Sequence, residues 1–146
     1  MDLAKPFADD FSADTLTLFK TDLWSVLVRK GQSTLGSLVL AANRNFISAS
    51  ELTPEEAAEF PVVVGILEGA LREAFGFDKI NYLCLMMVDR HYHFHVIPRY
   101  ETPRSYEGVE YTDDAWPRFP NIGAAPSDEE FLVGLRDHLR RFLPQR

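Results

Sequence analysis

Cysteine is almost missing from this chain. Cys84 is the only one in 146 residues, which excludes an internal disulfide and a zinc site built from cysteine thiolates. Positive charge is in deficit. Fifteen Lys and Arg stand against 22 Asp and Glu, for a formal net charge of −7, a poor match for duplex nucleic acid or anionic lipid. No apolar run approaches the ~18 residues of a membrane span. Met1 to Asp10 has neither a basic start nor an apolar stretch and does not read as a signal peptide. There is no internal repeat and no low-complexity tract. What is present, 46% apolar and 25% charged residues, is the balance of a globular protein, and the length suits one domain. The expectation is a small acidic cytoplasmic domain with no nucleic-acid polymer and no membrane as partner. Histidine is also scarce, yet three of the four fall within five residues.

The coarse order of elements follows from patterning. Leu16 and Leu18 alternate with Thr15 and Thr17, which predicts a short strand. Leu23–Val28 and Leu35–Ala42 predict two more, separated by a loop at Gly31-Gln32-Ser33-Thr34. Thr53-Pro54-Glu55-Glu56 is a capping box with proline at the first helical position. Phe60, Val64, Leu67, Leu71 and Phe75 follow at helical spacing, with Gly76 as the stop and Pro61 as an expected kink or break. Ile80–Val88 and His91–Ile97 predict a strand pair joined by a tight turn at Asp89-Arg90, the second strand ended by Pro98. Pro98 to Pro126 holds five of the nine prolines and reads as a long functional or wrapping segment. Ser127-Asp128-Glu129-Glu130 predicts a second capping box, opening a terminal helix with Phe131, Leu135, Leu139 and Phe142 on one stripe. Arg136, Arg140, Arg141 and Arg146 suit the C-terminal end of that helix. The order favours a single α+β domain, with a core over about 15–100 and a proline- and aromatic-rich arm and C-terminal helix over 101–146.

The segment His91-Tyr92-His93-Phe94-His95-Val96-Ile97 carries the chemistry. On a strand, side chains alternate between faces, so the three imidazoles share one face while Tyr92, Phe94 and Val96 enter the other. Core packing explains the apolar half alone. A metal site is limited by geometry. On a straight strand the Cβ atoms of His91 and His95 lie ~13 Å apart, whereas two imidazole arms on one zinc span roughly 11 Å. Only a neighbouring pair of histidines could share an ion, with other ligands from elsewhere. Nucleophilic catalysis fits better. A neutral imidazole can attack phosphorus, hold a covalent intermediate and release it to water, and flanking rings can orient it and meet the developing charge. His93, with a histidine on each side, is best placed to be that nucleophile.

The alternation His-apolar-His-apolar-His-apolar-apolar, followed by Pro98-Arg99, resembles the signature of the histidine triad superfamily of nucleotide hydrolases and transferases. Leu35–Leu40 is similar to the strand after that family's nucleoside loop, and Glu51–Glu56 to its helix entry. The similarity covers roughly Leu23 to Tyr100. It implies a five-stranded antiparallel sheet with a main helix after the third strand and a C-terminal helix. It also implies a homodimer whose sheets join and a nucleotide cleft over the triad. His93 would attack the α-phosphate and hold the nucleotidyl group, with His91 and His95 orienting it and contacting phosphate oxygens. The small-molecule substrate would be a nucleotide phosphoramidate or dinucleoside polyphosphate. No cofactor is required, although a polyphosphate could arrive with magnesium. A nucleotide-binding protein with little turnover, or a metal-dependent enzyme using two of the histidines, is the alternative.

Three positions depart from the family's pattern. Ser37 stands where many members have a histidine, and Arg29 where many have an Asp or Asn that reads the ribose. Met86–Arg90 is expected to be too short for the glycine-glutamine-serine loop that contacts the leaving group. Arg29 and Ser37 remain candidate substrate contacts, and Arg99, spaced to share the histidine face, is a candidate phosphate contact. Lys79, Arg90, Arg99 and Arg104 outnumber Asp89 and Glu101 around the triad, which suits a phosphate-bearing ligand. Trp116-Pro117 and Phe119-Pro120 are expected to anchor the arm, Cys84 to be a small buried hydrophobe, Met86 and Met87 to pack on the sheet, and His138 to be structural.

Overall fold

The computed structural model describes residues 1–145; Arg146 lies outside the described residues. Five strands form one antiparallel sheet: β1 (Thr17–Lys20), β2 (Trp24–Val28), β3 (Leu38–Ala42), β4 (Lys79–Leu83) and β5 (His93–Arg99), in the order β1-β2-β3-β5-β4. The main helix after the third strand, α3 (Pro54–Phe75), and the C-terminal helix, α4 (Glu129–Arg140), cover one face. Two short helices not foreseen from the sequence, α1 (Lys5–Asp10) and α2 (Ala13–Leu16), precede the sheet. A hairpin of β6 (Arg104–Tyr106) and β7 (Val109–Tyr111) lies in the arm. Glu107 and Gly108 both take positive φ there, the requirement of the tightest hairpin turn.

The register sorts the side chains. β2 pairs with β3 as Val26↔Leu40, and β3 with β5 as Leu40↔Phe94 and Leu38↔Val96. These residues pack with Val63, Leu67, Leu71 and Phe75 of α3 and Leu132, Leu135 and Leu139 of α4 in the main core. The alternate residues, Leu27, Val39, Ala41, His93 and His95, face the other way. There Phe7 of α1 closes a second, smaller cluster with Leu27, Val39 and Ala41. Asn43 holds the entry to α1 in place: its carbonyl accepts from Ala4 N, and its Nδ2 donates to Met1 O.

Several local expectations need correcting. The Thr53 capping box forms with both reciprocal bonds, and Gly76 ends α3 in the left-handed conformation. Pro61, however, does not break α3, which runs through it for 22 residues. The carbonyl that loses its donor is that of Ala57, one turn back, and Ala57 is exposed to water. The second capping box does not form. Asp128 is the N-cap without a side-chain bond, because Ser127 is committed elsewhere, its N–H donating to Lys30 O. β4 stops at Leu83, so the connection to β5 is Cys84–Tyr92, far longer than a two-residue turn. Met86 takes φ 52 in that loop and packs on the core. Met87 and Val88 are instead 82% and 93% exposed, and Cys84 is exposed as well. Pro98 does not end β5. Its missing N–H falls beyond the last β3 partner, Leu38↔Val96, so no ladder bond is lost on that side.

The arm is held by a buried ion pair. Arg99, 3% exposed, donates from Nε to Asp113 Oδ2 at 2.7 Å and from Nη2 to Oδ1 at 3.3 Å. The same carboxylate accepts from Tyr100 N. Asp113→Ala strands a buried guanidinium and is expected to cost about 3–5 kcal/mol. Urea unfolding measures this, and a loss under about 1 kcal/mol would mean that the pair carries little of the arm's attachment.

Candidate active site

The three histidines come together as the alternation requires, and each ring nitrogen has a definable role. A carbonyl oxygen only accepts, so the 2.6 Å contact of His93 Nδ1 with His91 O puts the proton on Nδ1. The lone pair of neutral His93 is therefore on Nε2, the atom a nucleophile needs. By the same logic His91 carries its proton on Nε2, which donates to Ala42 O. An arginine only donates, so His95 Nδ1, 3.1 Å from Arg29 Nε, is an acceptor and its proton is on Nε2. The His93 and His95 rings stand at 88° with centroids 5.1 Å apart.

All three imidazoles are held below the usual histidine range. For His91 and His93 the first cause is burial. For His93 the bond to the His91 carbonyl and the charge of Asp89 pull the other way without winning. His95 is pushed down to about 4 by burial and then by the Arg29 cation. At neutral pH the cluster is uncharged, which is the state in which His93 can attack.

The histidine face is roofed by aromatic rings from α1. Phe7 stacks on His91 with centroids 4.5 Å apart and lies 5.2 Å from His93. Phe11 meets the His93 ring edge-on at 5.6 Å and stacks on Phe7 at 4.1 Å. His93 is left 2% exposed. Among the described residues no fully buried side-chain nitrogen lacks a partner, so Nε2, which makes no hydrogen bond, keeps a small accessible surface. Phe7 and Phe11 did not stand out from the sequence. Their only signal was an aromatic pair four residues apart behind Pro6.

The other candidate residues are placed as follows. Arg29 follows β2 on the histidine face and reaches His95. Ser37 is fully buried and closes its own turn, its Oγ donating to Thr34 O and accepting from Thr34 N; it presents nothing to the triad. Arg99 lies on the histidine face of β5, but its guanidinium is taken by Asp113 and by Asn81 Oδ1 at 3.0 Å. Arg99, Trp116 and Phe119 line an open cleft of about 820 Å³ along β4, which contains none of the three histidines. A smaller cavity of about 370 Å³ touches His91 and is walled by Phe7, Ile47, Val88, Asp89 and Arg90. Among the described residues no group of three or more His, Cys, Asp or Glu is placed to hold a metal ion. Nor, among the described residues, is any helix long and apolar enough to cross a membrane. His138 sits among the rings of Phe75, Tyr106 and Phe142, far from this chemistry.

No protein-family model matches the chain, and no curated protein does. Solved structures do match. One is a histidine triad protein from Sinorhizobium meliloti, with a TM-score of 0.71 and 24% identity over 92% of this chain and 94% of that one. Another is a hypothetical histidine triad nucleotide-binding protein from Sulfolobus tokodaii, with a TM-score of 0.69 and 18% identity over 93% and 89%. A zinc-bound histidine triad family protein from Mycobacterium smegmatis matches with a TM-score of 0.61 and 20% identity over 93% of each chain. This chain has the histidine triad fold. Within that fold, the loop before the triad is long enough to reach the site. Its middle is apolar, Met86, Met87 and Val88, and its polar side chains before His91 are Asp89 and Arg90.

The buried neutral rings fix a pH dependence. The unfolded chain titrates its histidines near 6.5, while folded His95 titrates near 4. Between these values the unfolded state binds more protons, so this contribution to stability is complete above 6.5 and is lost as pH falls toward 4. His95→Gln is expected to flatten that part of the profile in urea midpoints measured from pH 7.5 to 4.5. A wild-type slope unchanged by the substitution would contradict it.

Proposed function

We propose that the protein is a histidine triad nucleotide hydrolase or transferase that cleaves a bond at a nucleotide α-phosphate through a covalent intermediate on His93. The observation that carries this is the tautomer of His93, with Nδ1–H fixed on the His91 carbonyl and an unbonded lone pair on Nε2. The nucleotide-binding description of the Sulfolobus tokodaii protein and the shared fold support the substrate class. In the first step Nε2 bonds to phosphorus and the bond to the leaving group breaks, the leaving oxygen or nitrogen keeping the electron pair and taking a proton from solvent, to which the water of the second step returns one. The positive charge that grows on the ring is met by the Nδ1–H···O=C bond, which strengthens as the imidazole becomes cationic. In the second step water attacks phosphorus, the P–N bond breaks, and His93 returns to its neutral form. His95 offers an Nε2–H to a phosphate oxygen, and the His91 ring packs the nucleophile between strand and roof. No metal or organic cofactor is needed for either step, although a polyphosphate substrate could carry magnesium. His95, with Nδ1 accepting from Arg29 and its proton on Nε2, presents no lone pair to a metal ion, whereas His91 and His93 keep one each.

The aromatic roof makes the second reading concrete. With His93 2% exposed, phosphorus reaches Nε2 only when Phe7 and Phe11 give way, which favours slow turnover or binding alone. Incubation with adenylyl phosphoramidates and dinucleoside polyphosphates, followed by mass spectrometry, separates the readings. A nucleotidyl adduct on His93, together with loss of at least about 10³-fold in turnover in His93→Ala, is expected. AMP binding without release from any substrate would support the binding reading, and turnover abolished by a chelator would support the metal one.

We further propose a homodimer. Among the described residues β4 ends the sheet with β5 as its only strand neighbour, and an edge of this kind pairs readily with a second strand. Sedimentation equilibrium is expected to give twice the monomer mass of 16.6 kDa. A single 16.6 kDa species at micromolar concentration would refute the dimer.

A further inference from the structure

The guanidinium of Arg29 is the point where four separate parts of the chain meet. Its Nε donates to His95 Nδ1 at 3.1 Å. Nη1 donates to Gly31 O at 2.6 Å and to Ser33 Oγ at 3.0 Å. Nη2 donates to Ile122 O of the arm at 2.7 Å. Four of the five N–H donors of an arginine are thereby committed within the protein. An arginine that clamps phosphate presents two parallel donors to it, and this one has no such pair left. Its chemistry is directed at His95 and not at a ligand.

We propose that Arg29 is a positioning residue for the reaction: by occupying His95 Nδ1 as a donor, it forces the Nε2–H tautomer and thereby makes His95 a hydrogen-bond donor toward the reacting phosphate. This role rests on the His93 reading above. Without Arg29 nothing holds the proton on Nε2, and every ring with its proton on Nδ1 would point a lone pair where a donor is wanted. Arg29 also opposes protonation of the ring, because a second cation would form beside its own. Burial opposes protonation first, and among the neighbouring groups Arg29 does so ahead of His93. The partners of His95 across the sheet are Val39 of β3 and Leu83 of β4, which carry no charge. Along β5 the nearest titratable group is His93, itself neutral, and the arm contributes a backbone carbonyl.

The close packing around Arg29 is consistent with a fixed joint. Gly31 lies against the arm so tightly that a Cβ there would sit 2.5 Å from Ala124 O and 3.1 Å from Arg29 Nη1. Only glycine lets the arm come near enough for Ile122 to take its bond from the guanidinium.

The test needs no substrate for its first half. In ligand-free protein labelled with ¹⁵N-histidine, wild-type His95 is expected to show an unprotonated Nδ1 and a protonated Nε2 from pH 5.5 to 8. In Arg29→Ala the tautomers are expected to mix and the ring to titrate closer to 6.5. Arg29→Gln keeps an N–H donor without the charge and is expected to preserve the tautomer; it serves as the readout if Arg29→Ala fails to fold. In the second half, Arg29→Ala is expected to lower kcat by about 10- to 100-fold, the scale for partners that orient a functional imidazole, and to add a second ionisation to the acid limb. Arg29→Gln is expected to recover most of kcat. An unchanged His95 tautomer and titration in Arg29→Ala would overturn the proposal, as would a loss expressed only in KM with an unaltered pH profile. If His93 forms no adduct while the ¹⁵N result holds, the hydrolase reading falls and the Arg29–His95 clamp stands as geometry without catalysis.

Discussion

The pairing of β3 with β5 is the constraint on which the molecule depends. Leu40 opposite Phe94 and Val39 opposite His95 place apolar side chains toward α3 and α4 and imidazoles toward α1. Strand periodicity is two residues, so a slip of one would drive three histidines into the main core and Tyr92, Phe94 and Val96 out of it. The burial of Val96, Leu38 and Leu40, all 0% exposed, thus holds the histidine face in register. The energy that folds the sheet and the geometry that aims His93 come from the same contacts.

That face is not open to water in the usual manner of a site rich in titratable groups. Phe7 and Phe11 lie on His91 and His93, and the burial they contribute to keeps those two imidazoles neutral. Burial is costly for an ion but favourable for a neutral nucleophile, because it disfavours the protonated, unreactive form. The roof therefore keeps these rings neutral and at the same time covers them, and the two effects belong to the same pair of phenylalanines.

The sheet, both main helices and the shared face of the histidines were legible because each rests on a local pattern: a β-rich apolar run in Leu23–Val28, alternation in His91–Ile97, a capping box at Thr53, helical spacing after it. The partners of the functional side chains were not. Arg29 could be placed on the histidine face by alternation with Ser25 and Leu27, but its bond to His95 spans 66 positions and leaves no mark on either segment. Arg99 shared the right face, yet Asp113 captured it from a loop whose path no periodicity describes. Met87 and Cys84 read as strand residues because β propensity cannot tell a strand from an apolar loop. Pro61 read as a breaker because its cost is local, whereas the exposure that relieves it belongs to the folded helix.

The bond between Arg29 and Ile122 joins residues 93 positions apart. Contacts of such long sequence separation close large loops and form late in folding. The strand pairing that aligns the histidines closes over shorter separations, Val39 with His95 for one. A folding chain therefore lines up the three rings before the arm docks and Ile122 takes its bond from Arg29. Docking of the arm is then the event that completes the surroundings of His95, although none of the three histidines lies in it.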